Sequence, residues 1–373
     1  MNLEFYDILR FITVFLFLFF AIFLFTLKKG NRISNILFGI FLLSKAFCFG
    51  NDLLFRFESV VINFTPHVFL IGESFEYLLG PALYLYALSL AYSDFKLKRI
   101  YLLHLIPFIV HFGFMFFRFH MYSADTKIEL LNSYLLTYPE YIVYVSLMQL
   151  HFIIYSAVTL FVLYKYRKEL KNHFSSINRI KLSWLEVIVS GFIVIWGASF
   201  IIFTLNLMGY RISYPENLSL ILLFSFSNFI LYKGLKQPEI FAGIKQRKQD
   251  NKPMLDEENY NRYLKQLELV MENEKPFLNP TLSLNELADK ITISPRYLSD
   301  LINRSFNQNF FDFINTYRIE EAKKMLALDS DGRRTVLEVL YDSGFNSKSA
   351  FNTAFKKYTG ITPTEYRRHQ AIA

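Results

Sequence analysis

The sequence predicts an all-α fold in two parts. A seven-helix transmembrane bundle comes first, then a soluble domain with two helix-turn-helix units joined by a linker helix. Three observations predict this. The mean hydropathy is +0.26, too apolar for an ordinary soluble chain of 373 residues. Seven apolar stretches precede Lys233, each near the ~20 residues that carry a helix through a hydrocarbon core about 30 Å thick. After Asp256 the pattern changes to amphipathic helices with clear start and stop signals. The chain therefore divides into residues 1–232, read as a membrane sensor domain, residues 233–254, a basic juxtamembrane linker, and residues 255–373, the double helix-turn-helix domain.

The seven stretches run approximately Ile8–Leu27, Ile33–Leu54, Pro66–Tyr92, Ile100–Phe119, Tyr141–Tyr164, Leu185–Met208 and Leu218–Tyr232. The first does not read as a cleavable signal peptide. The residues before it, up to Asp7, are acidic rather than basic, and no small-residue cleavage site follows. Its basic cluster, Lys28, Lys29 and Arg32, comes after it, which places that end in the cytoplasm and the N-terminus outside. The segments expected inside carry 17 Lys and Arg, whereas those expected outside carry only Arg56, Lys127 and Arg211. This alternation predicts a multi-pass protein of a bacterial inner membrane with its C-terminal domain in the cytoplasm.

Ionisable groups inside spans are costly and face a bundle interior or a cavity. Lys45 and Asp52 lie in the second stretch, Glu73 and Glu76 in the third at i and i+3. One reading makes Lys45, Glu73 and Glu76 a site for an unknown signal ligand or proton. The other makes them an ion pair, Lys45 with Glu73 or Glu76, that fixes helix packing. His67, His104, His111 and His151 read as packed or interfacial, because no pair has metal spacing with a third ligand. Gly72, Gly80 and Pro81 allow the third helix to pack closely or bend. The only cysteine, Cys48, excludes a disulfide framework and a cysteine-based zinc site. No metal or cofactor is expected.

The linker is polar and basic, suited to an anionic inner leaflet. Beyond it, Tyr260, Leu264, Leu267 and Val270 give a helix ending near Asn273. Ser283 to Glu286 is a capping box that starts a short helix through Lys290. Ile291–Ile293 make the turn, and Ser294-Pro295 opens a second helix to about Phe306. Its apolar side is Leu298, Leu301, Ile302 and Phe306, and its polar side is Arg296, Ser299, Asp300 and Asn303, flanked by Arg304. Such a face suits base edges, with Arg matched to guanine and Arg304 to a phosphate. A longer helix, about Phe310–Leu328, is roughly 28 Å long and takes Phe311, Ile314, Ile319, Ala322 and Leu326 as its apolar side. Then the pattern repeats. Thr335 to Glu338 is a second capping box, Asp342–Phe345 a turn, and Ser347–Tyr358 a second candidate recognition helix. Ser349, Asn352, Thr353 and Lys356 face outward on it, and Gly360 sits at its C-cap. Thr362 to Glu365 caps a last short helix.

Gly344-Phe345, Phe351, Phe355 to Lys357, Gly360 to Pro363 and Tyr366-Arg367 resemble the C-terminal signature of the AraC-type transcriptional regulators. Ala288-Asp289, Ser294 to Leu298, Phe306 and Arg318 to Ala322 fit the first half of that domain. The resemblance covers about Leu282–Arg368 and leaves out the membrane half. It implies two units in adjacent major grooves, with Arg296, Ser299 and Asp300 contacting DNA from the first recognition helix and Ser349, Asn352 and Thr353 from the second. Two residues depart from the family. Thr353 stands where Arg is frequent, and Asp300 puts an acid towards DNA, where it meets a cytosine amino group or caps a neighbouring Arg.

From Leu255 onward the chain has 16 Lys and Arg against 17 Asp and Glu, so phosphate attraction is local rather than global. It rests on Lys323, Lys324, Arg333, Arg334, Lys356, Lys357, Arg367 and Arg368. No phosphate-binding loop, kinase signature or nucleophile–base set is visible, so an enzyme is not expected. The expected function is a membrane-bound regulator that couples a sensed signal to promoter DNA. Its expected partners are double-stranded DNA, the lipid bilayer, RNA polymerase and a second copy of itself. The competing reading is a transporter or channel with a regulatory helical cytoplasmic domain. Against it, the sequence shows no inverted repeat and no paired broken spans.

Overall fold

The computed structural model describes residues 4–28, 30–132, 139–177, 180–210, 212, 220–222, 224–225, 228–229, 232, 257–328 and 333–372. Of the expected seventh span only residues 220–222, 224–225, 228–229 and 232 are described, and the expected linker lies wholly outside the described residues. The chain forms two compact units, Met1–Tyr164 with Leu182–Gln246, and Lys165–Lys181 with Arg247–Ala373. Among the described residues there is no strand; an isolated antiparallel bridge joins Phe174 with Ser283.

The first unit contains α1 (Phe5–Thr26), α2 (Arg32–Arg56), α3 (Glu58–Phe64), α4 (Glu76–Ala91), α5 (Ile106–Met115), α6 (Ala124–Asn132), most of α7 (Pro139–His173) and α8 (Ser183–Leu207). Asn31 starts α2 by accepting from the amides of Ile33 and Ser34, which satisfies two orphan donors of the first turn. Asp7 ties the start of α1 to the end of α2, because its carboxylate accepts from Arg56 Nε at 2.9 Å. α2 packs against several of the other helices. Phe49 meets Phe17 of α1, Phe38 stacks on Tyr86 of α4, and Phe41 meets Phe192 of α8. The other side of α1 presents Phe11, Phe15, Phe19 and Ile22 outward. Among the described residues, six segments are long and apolar enough to cross a membrane: Phe5–Thr26, Arg32–Arg56, Pro66–Ala91, Arg99–His120, Ile142–His173 and Ser183–Leu207.

The third of these is not one continuous helix. Tight turns at Pro66–Val68 and Gly72–Phe75 precede α4, and Leu70 between them has φ +64°. A left-handed leucine is unfavourable and persists only where its surroundings hold it. Here the Leu70 amide donates to Asn51 Oδ1 at 2.9 Å, and Phe69 and Leu70 are fully buried beside Met115 and Phe119. Gly72 lets this segment touch α2, since a Cβ there would strike the Phe47 carbonyl and Asn51. Gly80 likewise lies against Tyr155, while Pro81 sits inside α4 without ending it.

The second unit adds α9 (Glu257–Asn273), α10 (Leu284–Lys290), α11 (Pro295–Phe306), α12 (Phe310–Leu328), α13 (Val336–Asp342), α14 (Lys348–Thr359) and α15 (Pro363–Ile372). Its local signals act as expected. Ser283 with Glu286 and Thr335 with Glu338 form reciprocal capping boxes, Ser294 caps α11 ahead of Pro295, and Gly360 ends α14 at φ +82°. Two cores result. Leu287, Leu298, Leu301, Ile302, Phe310 and Phe313 belong to the first, and Ile319, Leu326, Leu340, Phe351 and Phe355 to the second. α12 serves both.

The apolar side expected for α12 needs one correction. Phe310 and Phe313 are buried and Phe311 is only half-buried. The helix joins two cores, so more than one stripe is enclosed. Asn315 and Arg318, polar residues absent from that expected side, are buried on it too.

Candidate nucleic-acid interface

Two helices carry the candidate contacts, and each is set by the core beneath it. Leu298, Leu301 and Ile302 hold α11 down, so its opposite side presents Arg296, Asn303 and Arg304 as exposed residues, with Ser299 and Asp300 half-exposed. Phe351, Ala354 and Phe355 do the same for α14, which exposes Ser349, Asn352, Thr353 and Lys356. In each unit the chain thus brings its candidate residues onto one helix face, directed away from the core.

The two faces differ in their internal bonds. Asp300 pairs with Arg304 one turn on, at 3.0 Å, with side chains 42% and 38% exposed. Asn303 Nδ2 donates back to the Ser299 carbonyl at 2.7 Å. The acid on this face therefore neutralises the neighbouring cation that was expected to hold a phosphate. On α14 the anchoring lies at the helix end. Lys357 Nζ donates to Asp312 Oδ1 at 2.7 Å, and the Tyr358 hydroxyl donates to the Asp312 carbonyl at 3.1 Å. Burial pushes the Asp312 carboxyl up, but the Lys357 hydrogen bond and charge outweigh it and hold it below the usual carboxylate range. The same hydrogen bond raises the Lys357 ammonium.

Ion pairs also engage some of the positive charge of this part. Lys323 pairs with Glu320 at 2.9 Å, Arg334 with Asp342 at 3.6 Å and Lys357 with Asp312 at 2.7 Å. Three of the eight residues expected to supply local positive charge are thus engaged with acids.

Sequence reasoning missed the joint between the two helix-turn-helix halves. Arg318 of α12 is buried and donates from Nε to the Phe277 carbonyl at 2.7 Å and from Nη2 to the Asn279 carbonyl at 2.8 Å. Desolvation lowers its guanidinium to about 10, so it stays charged at neutral pH. Gly344, in the turn of the second unit at φ +88°, lies against the same segment. A Cβ there would stand 2.5 Å from the Phe277 carbonyl oxygen. An arginine inside an otherwise amphipathic helix was the available signal, but its acceptors are remote in sequence.

In the first unit, Lys45 pairs with Glu76 at 3.8 Å, and its ammonium lies 4.2 Å from the centroid of the Trp196 ring. Glu73 accepts from the Tyr144 hydroxyl at 3.3 Å. Glu73 and Glu76 line one cavity of about 150 Å³ with Cys48, Asn51, Asp52 and Tyr144. The histidines are engaged in packing. His111 meets Ser74 Oγ at 3.0 Å, His104 meets the Tyr155 hydroxyl, His67 meets Lys127, and His151 packs on Tyr77 and Tyr155. Among the described residues no group of three His, Cys, Asp or Glu is placed to hold a metal ion.

The sequence profile of a helix-turn-helix domain family matches residues 287–369. An uncharacterized transcriptional regulatory protein of Bacillus subtilis strain 168, YesN, is 36% identical over 97 residues, 26% of this chain and 26% of that protein. The melibiose operon regulatory protein of Escherichia coli K12 is 28% identical over 87 residues, 23% of this chain and 28% of that protein. The C-terminal domain of AraT, a response regulator from Geobacillus stearothermophilus, is 27% identical; the match covers 31% of this chain and 87% of that one, with a TM-score of 0.26. The chain thus spans only about a quarter of the length of these two full-length relatives. Profile and relatives agree with the motifs quoted above, and residues 287–369 are a DNA-binding helix-turn-helix domain of the AraC-type transcription regulators.

Proposed function

We propose that this chain is a membrane-bound transcription regulator, in which a signal received among the apolar helices alters promoter binding by the C-terminal domain. The observation that carries this reading is the presence on one chain of an AraC-type domain and, among the described residues, six segments long and apolar enough to span a bilayer. The outward Phe and Ile side chains of α1 support it, because so continuous an apolar surface is costly in water and costs nothing in hydrocarbon. The basic loops orient the domain towards the cytoplasm, where DNA is. Arg296, Ser299, Asp300, Asn303 and Arg304 read DNA from α11, and Ser349, Asn352, Thr353 and Lys356 from α14. The cavity bordered by Glu73 and Glu76, with Lys45 behind it, is the signal site. Homodimers form on the promoter, since confinement to a membrane raises effective concentration, and RNA polymerase is the downstream partner.

Genome-wide DNA cross-linking of the full-length protein in its native membrane tests this, beside an Arg296→Ala, Asn352→Ala variant. Discrete peaks that vanish in the variant are expected. No peaks under any growth condition would defeat the reading. Glu73→Gln with Glu76→Gln is expected to leave the protein in the membrane and change how those peaks respond to conditions.

A further inference from the structure

Residues Lys165–Lys181, the C-terminal end of α7 and most of the segment that follows it towards α8, are compact with the DNA-binding part of the chain. The contacts are specific. Phe174 forms its antiparallel bridge with Ser283. Both the amide and the hydroxyl of Ser175 donate to the Leu282 carbonyl, at 3.1 and 2.7 Å. Ser176 Oγ donates to Asn346 Oδ1 at 3.1 Å. Arg318 donates from Nη1 to the Ser175 carbonyl at 3.1 Å and from Nη2 to its hydroxyl oxygen at 3.0 Å. Ser175 and Ile177 are buried, and the Lys171 ammonium lies 5.6 Å from the centroid of the Phe311 ring.

These contacts reach both helix-turn-helix units and the helix between them. Leu282 and Ser283 open α10 in the first unit, Asn346 precedes the cap of α14 in the second, and Arg318 lies midway along α12. Of the four hydrogen bonds Arg318 makes, two end on Ser175. A buried guanidinium is tolerated only when its donors are satisfied, so Ser175 belongs to the joint of the domain as fully as Phe277 and Asn279 do.

We propose that residues 174–177 are a clamp that fixes the two helix-turn-helix units in the mutual orientation DNA requires, and that rearrangement of the membrane helices reaches DNA binding by loosening it. This rests on the reading of the chain as a membrane-bound regulator. Two recognition helices must enter their grooves together, and ordering them before binding removes a cost otherwise met at binding. α7 is a single helix from Pro139 to His173, and Phe174 follows its last residue directly.

The test uses the full-length protein in membranes with Phe174→Cys and Ser283→Cys. Antiparallel bridge partners stand about 4.5–5.5 Å apart at Cα, within the span a disulfide closes. The one native cysteine, Cys48, is buried. A protease site placed between residues 233 and 254 reports the link. After cleavage the fragments stay joined under oxidising conditions and separate with reductant. Fragments that never stay joined would overturn the docked loop. Ser175→Lys, which sets a second cation against Arg318, is expected to abolish the link. It should also weaken binding of full-length protein to the promoter fragment recovered by cross-linking about tenfold, the size of one lost charge-assisted hydrogen bond. Should Ser175→Lys not fold, the cysteine pair gives the same comparison, with the oxidised form binding at least as tightly as the reduced one. Unchanged or tighter binding by an undocked loop, or weaker binding by the linked form, would overturn the clamp. If the wild type retains no promoter fragment, the regulator reading fails and the clamp's role with it, while the disulfide still reports whether the loop is docked.

Discussion

The two helix-turn-helix units share one plan and spend their charges differently. Each has a capping box, a short helix, a turn and a serine-capped recognition helix. In the first, the charges of the DNA-facing side are tied to each other, Asp300 to Arg304. In the second, Lys357 at the end of the recognition helix is tied to α12 through Asp312, while Lys356 faces outward. The first face thus carries its ion pair on the recognition helix itself, whereas the second is anchored at its helix end and keeps Lys356 outward.

The largest effect expected from breaking this comparison lies in the turns. Gly344→Ala forces a Cβ against the Phe277 carbonyl at φ +88° and should destabilise the domain by about 3 kcal/mol or more. Gly360→Ala has open space and meets only the left-handed conformation, at about 1 kcal/mol. Thermal unfolding of the two variants side by side checks this, and equal losses would show that the joint at Phe277 is not tight. Next come Arg296→Ala and Asn352→Ala. Each should relax preference at its own base position by about 1–3 kcal/mol, read by binding to a promoter series. Equal effects at every position would remove both from the base contacts.

Asp300→Ala sharpens the contrast from the other side. It releases Arg304, so binding should tighten about threefold on sequences that offer Asp300 no base to read, preference at its own base position should relax, and the salt dependence should steepen by about one unit of slope. The smallest effect belongs to the anchor. Asp312 is depressed in the folded state, so its contribution is complete above the usual carboxylate value and fades as pH falls below about 4. Lys357 is raised, so its contribution is present below about pH 10.5 and fades as pH rises through the folded value. The pair is partly exposed, and Lys357→Met should cost less than about 1 kcal/mol near neutrality. That cost should shrink at pH 3, as unfolding at the two pH values would show.

What was legible in the sequence is what neighbours in sequence decide. Ser283 with Glu286, Ser294 before Pro295 and Gly360 announce helix ends because capping is chemistry across three or four residues. The outward faces of α11 and α14 were readable for the same reason, through the helical period. The burial of Arg318 was not, because half of its hydrogen bonds end on Ser175, 143 residues earlier. Nor was the preference for Phe313 over Phe311, which depends on two cores meeting along α12. The break in the third apolar segment was equally hidden. Hydropathy counts apolar residues, and it cannot see that Asn51 of another helix accepts the Leu70 amide.

On the proposed membrane-bound reading, that break bears on how the chain is made. A regular helix can leave the insertion machinery alone, since every amide in its interior is bonded within it. The segment from Pro66 to Phe75 cannot, because part of its backbone finds its acceptor on α2. In a bilayer it should wait beside the translocation channel until Asn51 is in place, and enter as half of a pair. Synthesis order supplies that partner first. An Asn51→Leu chain should accordingly stall at this step, with its first two apolar helices inserted and its third left at the interface.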